Sequence, residues 1–523
     1  MSGVRRAEVV AALSLAVDIG MGQPLEQGLR TCLVAVRLAE HAGLPADTDL
    51  PVVHGLALLR HVGCTAESDQ AAAFLGDEIA FRSGGMALDW TNQAEVFKYM
   101  IRNVGKGESA WKRSRRVGNM LTNGKKFMGA AMAVCEAGQL LSGRLGFDDR
   151  TQQALWQTFE SWDGKGGIPG RVKGDEIDIA ARTVRIAESA EAHLWLDGPD
   201  AAREAVRRAA DRSYDPDLAA CFLDHADEIL AGLDAESVWD DVLAAEPAPQ
   251  PVLDDDQLDE ACRAIADFAD QKTSFTFGHS RAVSELAEAA GRVMRLPPAD
   301  LVALRRAGLV HDLGRVSVSS TVWHKPGPLT RDEWEQVRLH AYHTERALSR
   351  PPVLAQLGAL ASTHHERLDG SGYHRSVDRN ALPVTARILA AADSFQAWTE
   401  ERAHRPAASK DDAAAHVRDD VRAGRLDADA VEAVLTAAGQ TGGGAAGGSR
   451  RRQPERPGGL TDREVEVLRV LAGGKSIKEI AAVLSVAPKT VDAHIQHIYT
   501  KLGVSTRAGA TLFGLQHGLV GTP

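Results

Sequence analysis

The stretch LVHDLGR, Leu309 to Arg315, decides how this chain is read. It closes an apolar run, Leu301 to Val310, that predicts a helix, and Gly314 follows directly. His311 and Asp312 therefore leave a helix terminus together and point into one pocket. Working outward, the other ionisable residues also fall at predicted helix ends or in short loops. His364 and His365 form a second adjacent pair before a DGSG turn, Asp369 to Gly372. His279 precedes a helical pattern (Val283, Leu286, Ala290), and His340 and Asp393 lie on predicted helices.

Five imidazoles and two carboxylates form a mixed nitrogen and oxygen donor set that suits iron, manganese or other first-row divalent ions. Carboxylates can bridge two such ions, and a pair about 4 Å apart clamps the attacking and leaving oxygens of a phosphodiester. The implied reaction class is phosphoester hydrolysis. A lone His on a helix is ordinarily a surface or satisfied core residue. The ordered set HD, H, HH, D with Gly turns between has few structural reasons to exist.

The surrounding chain frames this cluster. At 523 residues and 44% hydrophobic it fills several domains, and with 5% aromatics and polar residues breaking every apolar stretch it reads as all-α. No apolar run approaches the roughly 20 residues that cross a bilayer, so no membrane partner is expected. The start carries Glu8 before a weak apolar segment, which does not read as an export signal, and a cytoplasmic location is expected. Cys32, Cys64, Cys135, Cys221 and Cys262 lie far apart, with neither a zinc ribbon nor a disulfide pattern. From Arg450 onward there are 11 Lys and Arg against 6 Asp and Glu, so +5 of the net −11 sits in the tail and −16 elsewhere. Only the tail has nucleic-acid character.

Two breaks organise the chain. Residues Gly439 to Pro457 (GQTGGGAAGGSRRRQPERP) read as a flexible tether, and Glu246 to Asp256 (EPAPQPVLDDD) separates two comparable pieces. Those pieces resemble each other in order: LLRHVG (Leu58 to Gly63) over LVHDLG, WDGKGGIPG (Trp162 to Gly170) over LDGSGYHR, and AARTVRIAESAEA (Ala180 to Ala192) over TARILAAADSFQA. The reading is a tandem duplication. The first copy has lost the donors: Gln27 stands for the leading His, Arg60 and His61 for HD, Thr158 and Phe159 for HH, and Glu188 for the last Asp. It is expected to serve as a packing partner or binding module.

The motifs GHSR, HDLGR, HHERLDGSGYH and AADSFQA, in this order, make Leu258 to Gly439 similar to the HD-GYP branch of the HD phosphohydrolases. The resemblance implies that His279, His311, Asp312, His340, His364, His365 and Asp393 are metal ligands and that cyclic di-GMP is the substrate. Asp312 and Arg315 are the expected catalytic residues, and Arg315, Gly370, Gly372 and Tyr373 the expected substrate-binding ones. Several positions depart from the family pattern. Arg315 replaces a Lys, His374 the Pro of the family name, and Ala341 and Thr344 the Pro and Gly after the mid-domain His. Phe275 stands where members with three metals carry Glu, so two divalent ions, iron or manganese, are expected.

The tail, Leu460 to Leu519, shows four short amphipathic helices, the first opened by Thr461 with Glu464 completing a capping box and stopped at Gly473. Through LTDRE, KEIA, KTV, AHI and KLGV it resembles the LuxR/GerE helix-turn-helix over its full length. The resemblance implies that Lys489 to Leu502 enters the major groove of double-stranded DNA. The expected DNA contacts are Lys478, Lys489, Thr490, Val491, His494 and Lys501. Asp492 and Gln496 stand where relatives often carry cations, so a homodimer is expected to strengthen binding.

The expected organisation is thus a degenerate HD-GYP-like domain (1–245), a linker (246–257), an HD-GYP domain (258–438), a tether (439–457) and a LuxR-type domain (458–523). The expected function is a DNA-binding transcription regulator whose metal-binding module senses or hydrolyses a phosphodiester nucleotide. The alternative is a metal-dependent cyclic-nucleotide phosphodiesterase with a DNA-tethering or regulatory tail.

Overall fold

A computed structural model describes residues 3–520 except 67, 91, 123, 166–169, 378–380 and 441–456, with backbone alone at 93, 121 and 124–131. Most of the tether, and part of the expected repeat anchor at Trp162 to Gly170, lie outside the described residues. Among those described, the architecture is helices and turns with three isolated bridges and no strand. The chain is therefore all-α, as its composition predicts.

The chain divides into two compact units, residues 1–264 (with 319–321) and the remainder. The expected boundary at 246–257 needs correcting. Val252 there pairs with Arg5 and the Arg6 N–H donates to the Pro251 carbonyl, so the segment is tied to the start of the chain. The division falls instead inside a continuous helix, Asp255–Asp270.

In the first unit, α1 (Arg6–Met21), α2 (Gln27–His41), α3 (Leu50–Leu59) and α4 (Ile179–Asp197) frame the core. Packing is close because α1 and α3 are apolar almost all round, with Val10, Leu13, Leu56 and Leu59 buried. Helix α5 (Asp255–Asp270) leads into the second unit. There, α6 (His279–Val293), α7 (Pro298–Val310), α8 (His340–Leu348), α9 (Pro352–Ala361) and α10 (Val384–Thr399) form the corresponding frame. Proline in the first turn of α7 and α9 fixes where each begins.

Three local devices recur in both units. In the first unit, the Gly28 N–H donates to Asp18 ten residues earlier at 3.1 Å; in the second, the Ser280 N–H donates to Asp270, again ten residues earlier, at 2.9 Å. Both α2 and α6 start after a residue in the left-handed region, Glu26 (φ 68) and Gly278 (φ 78). The non-glycine Glu26 is held there because its carboxylate accepts from the Val238 N–H and the Ser237 hydroxyl, both at 2.8 Å. The third device is a close approach. A Cβ at Gly314 would lie 1.9 Å from the His340 carbonyl oxygen, and one at Gly63 would lie 1.8 Å from that of Val134. Only glycine lets the chain pass either helix at that distance.

The tail has its own core, built from Leu468, Leu471, Ile480, Val491, Ile495 and Ile498. Its helices are α11 (Asp462–Ala472), α12 (Ile477–Val483), α13 (Pro488–Leu502) and α14 (Arg507–Gln516). The capping box of Thr461 and Glu464 is present, and Gly473 ends α11.

Candidate metal centre

The second unit brings all seven expected donors together. His279 is the first residue of α6, His311 ends α7, Asp312 opens the following turn, His340 begins α8, His364 and His365 follow α9, and Asp393 sits within α10. All but His365 are buried below a tenth exposure.

Two groups emerge, His279 with His311 and Asp312, and His340 with His364 and His365. Asp312 faces both. Its Oδ2 lies 3.6 Å from His279 Nε2 and 3.5 Å from His311 Nε2, while Oδ1 lies 3.4 Å from His340 Nε2 and 3.6 Å from His364 Nε2. Asp393 repeats the split: Oδ1 is 3.2 Å from His279 Nε2, and Oδ2 is 3.7 Å from His365 Nδ1.

Helix geometry aims the rings. His311, His340 and His364 each place Nδ1 on the carbonyl three residues earlier, Gly308, Val337 and Ala361, at 2.8, 2.5 and 2.7 Å. With that nitrogen donating, Nε2 keeps its lone pair for the interior, which is how a ligating imidazole is oriented. His311 Nε2 is buried with no hydrogen-bond partner. Such an orphaned acceptor beside carboxylates fits a cation, and the donor chemistry fits a divalent metal.

The electrostatics agree. Burial lowers His311 and takes His364 down to about 3, so both are neutral at neutral pH. Burial would raise the Asp312 carboxyl, but Arg315, His311 and His340 hold it well below the usual range. His279 differs: burial disfavours its charge, yet the Glu400 carboxylate, 2.9 to 3.0 Å from Nδ1, raises it to about 10. Glu400 is thus the acceptor that orients His279, a role the sequence reading missed. It sits seven residues after Asp393, directly past the end of α10 and in extended backbone.

Arg315 donates to Asp312 Oδ2 at 3.1 Å and stacks 4.1 Å above the Trp323 ring. Tyr373 packs its ring 4.3 Å from His365. Gly370 turns with φ 74, and Gly372 is buried, where a Cβ would meet the Glu366 Cα at 2.6 Å. Gly372 therefore lets the loop close rather than offering a surface to substrate. The Thr344 hydroxyl donates to the His311 carbonyl and accepts from the Gly314 N–H, both at 2.9 Å. Near Phe275, whose carbonyl accepts from Arg402 Nη1 at 2.8 Å, the same guanidinium is paired with Glu400 at 2.8 Å.

In the first unit the side chains that the expected repeat sets opposite these donors are engaged with one another. Arg60 and His61 both engage Glu188, His61 Nε2 at 2.5 Å and Arg60 through Nη2. Thr158 is buried with its carbonyl accepting from Arg60 at 3.0 Å, and the Phe159 ring lies 4.9 Å from the Arg60 guanidinium. An internal cation and carboxylate neutralise each other.

In the tail, Lys478, Lys489 and Thr490 are exposed and His494 is half-buried. Two expectations change. Val491 is fully buried in the core, continuing the apolar stripe to Ile495 and Ile498, so it supports α13 rather than touching DNA. Lys501 Nζ is bonded to Glu464 at 2.7 Å, closing α13 onto the start of α11.

This donor order on this helical frame defines an HD-type domain, and the HD domain family profile matches residues 263–430, with bacterial regulatory proteins of the luxR family matching 459–513. More particularly, the chain is 28% identical over 417 residues to the 3'3'-cGAMP-specific phosphodiesterase 3 of Vibrio cholerae, covering 78% of this chain and 89% of that one. The likeness is longer than either compact unit. The 3'3'-cGAMP-specific phosphodiesterase 1 of the same organism is 34% identical over 171 residues, covering 33% of this chain and 40% of that one. The cyclic di-GMP phosphodiesterase of Thermotoga maritima is 33% identical over 154 residues, covering 29% and 42%. The crystal structure of a cyclic GMP-AMP specific phosphodiesterase of Vibrio cholerae shares the fold, with TM-score 0.58, 24% identity, and coverage of 84% of this chain and 99% of that one. Among the described residues, no helix is long and apolar enough to cross a membrane.

Proposed function

We propose that this chain is a DNA-binding transcription regulator whose HD domain holds two divalent metal ions, iron or manganese, and senses or hydrolyses a cyclic dinucleotide. The observation that carries the reading is Asp312, which turns one oxygen to each of two imidazole groups in a chain that also carries a luxR-type reader. His279, His311, His340, His364, His365 and Asp393 complete the ligand set. When bound, such a pair activates water and stabilises the phosphoryl oxygens. Arg315 steers the phosphate, braced by Asp312 and Trp323, and Tyr373 beside His365 borders the substrate. The relatives named for 3'3'-cGAMP and cyclic di-GMP support this ligand class. His374 in the loop, with Ala341 and Thr344 on α8, departs from the family pattern and favours sensing or slow turnover.

The first unit is, in this reading, a duplicated HD fold without its metal. Its support is the paired geometry of Asp18 with Gly28 and Asp270 with Ser280, and of Gly63 and Gly314. In the tail, Lys478 and Lys489 hold phosphates while Thr490 and His494 read base edges, in a homodimer on half-sites about one helical turn apart.

The test is elemental analysis of full-length protein prepared anaerobically with iron and manganese supplied, then assay against 3'3'-cGAMP and cyclic di-GMP, and gel shifts on candidate operators. About two ions per chain, nucleotide binding or hydrolysis, and operator preference are expected. A metal-free protein ends the HD reading, and equal affinity for operator and random DNA ends the regulator reading.

A further inference from the structure

The first unit contains a cavity of about 320 Å³ at the place where its donors have been replaced. It is lined from α1, α2, α3, α4 and the loop that carries Trp90. Its charges do not cancel. Glu188 is committed to Arg60 and His61, and Asp89 to Arg212, which lies outside the lining. Burial raises the third acid, Asp18, to about 8, so at neutral pH it is largely uncharged.

Arg82, Arg185 and Arg208 remain, and none has an ion-pair partner among the described residues. Arg185 reaches only the Thr158 carbonyl, at 3.4 Å, and its Nε is buried with no partner. Burial disfavours the Arg185 charge, and Tyr214, Glu188 and Asp89 offset that from a distance without an ion pair; a guanidinium so placed is open to phosphate oxygens, whose geometry it matches. Trp90, Phe159 and Tyr214 line the same cavity. Asp18 and Gln27 each hold a buried oxygen with no partner, which gives the wall hydrogen-bonding capacity for a base edge.

We propose that this cavity is a metal-independent binding site for a mononucleotide, its phosphate held by Arg82, Arg185 and Arg208 and its base stacked among Trp90, Phe159 and Tyr214. Size sets the class. Ligand pockets run from about 300 to 1,000 Å³, and this cavity lies at the small end, room for one base, sugar and phosphate rather than two. The Arg60–Glu188 pair is made of side chains alone, so chelation leaves the site intact. The site does not depend on the metal chemistry proposed for the second unit.

The experiment uses the full chain carrying His311→Ala and Asp312→Ala, which disables the second unit's centre, in EDTA. Calorimetric titration with guanosine and adenosine 5'-monophosphate should give one saturable site per chain. Arg82→Ala and Arg208→Ala, which reach solvent and spare the core, should each weaken binding about tenfold or more, the size of a lost charge-assisted hydrogen bond. Trp90→Ala should weaken the nucleotides while leaving competition by inorganic phosphate unchanged. No saturable binding of either nucleotide up to millimolar concentration overturns the proposal. So does binding that is indifferent to all three substitutions, or tighter binding of 3'3'-cGAMP at this site. Arg185→Ala is an additional variant, interpreted only if its thermal melt matches the parent.

Discussion

The two units solve the same electrostatic problem in opposite ways. In the second, Asp312 and Asp393 lie among five histidines whose inward nitrogens converge, with His311 Nε2 buried and without a hydrogen-bond partner. In the first, the buried Arg60, which the proposed repeat sets opposite His311, is paired internally with Glu188. The difference is between imidazole nitrogens that converge and an arginine and a carboxylate that already satisfy each other.

The sharpest way to break that contrast is Asp312→Ala. It should remove nearly all metal from the full chain by elemental analysis, whereas Arg60→Ala and His61→Ala should leave the metal content unchanged. Metal lost equally from both sets would mean that the first unit also binds it.

Next in size is Glu188→Gln, which strands the buried Arg60 and the partly exposed His61 and should cost up to about 3 kcal/mol in the first unit's unfolding. Its pH signature has a definite sign. Burial would raise Glu188, but Arg60 and His61 bring it from 4.5 to about 2, giving stability present above about pH 4.5 and lost as pH falls towards 2. Burial would lower His61, but Glu188 raises it from 6.5 to about 9, so its contribution is complete below about pH 6.5 and lost as pH rises through 9. Melts from pH 5 to 10 should show that alkaline loss in the parent and not in His61→Gln.

Thr344→Val sharpens the comparison from the other side. A Cβ at Gly63 would lie 2.8 Å from the Gly138 N, and one at Gly314 lies 2.6 Å from the Thr344 N, so glycine and threonine occupy matching places. Removing the hydroxyl leaves the Gly314 N–H buried without its acceptor, at a cost of about 1–3 kcal/mol. Chemical denaturation and metal affinity should both register it.

The smallest effect is in the tail, where a committed and an available cation again stand side by side. Lys501→Ala breaks an internal pair and should cost at most about 1 kcal/mol of domain stability, with little change in the salt dependence of DNA binding. Lys489→Ala should leave stability alone and lower the salt slope by about 1.

Much of the site was legible because its donors occur as adjacent pairs at helix ends, so HDLG and HHERLDG carry their geometry within a few residues. Glu400 was not read, since a carboxylate just past a helix end is ordinarily solvated. Val491 was misread by its early place in α13, although its spacing to Ile495 and Ile498 marks a core stripe. The unit boundary was misread because prolines and acids at 246–257 suggest a free linker, while backbone pairing to Arg5 is invisible in composition. The cavity was beyond reach: its wall is drawn from Asp18 to Tyr214, and no local pattern records that convergence.

The Arg60–Glu188 pair gives the first unit a form of independence. A guanidinium cannot be chelated, oxidised or exchanged for a neighbouring element. The charge balance at this point is fixed by the chain itself rather than by what its surroundings supply.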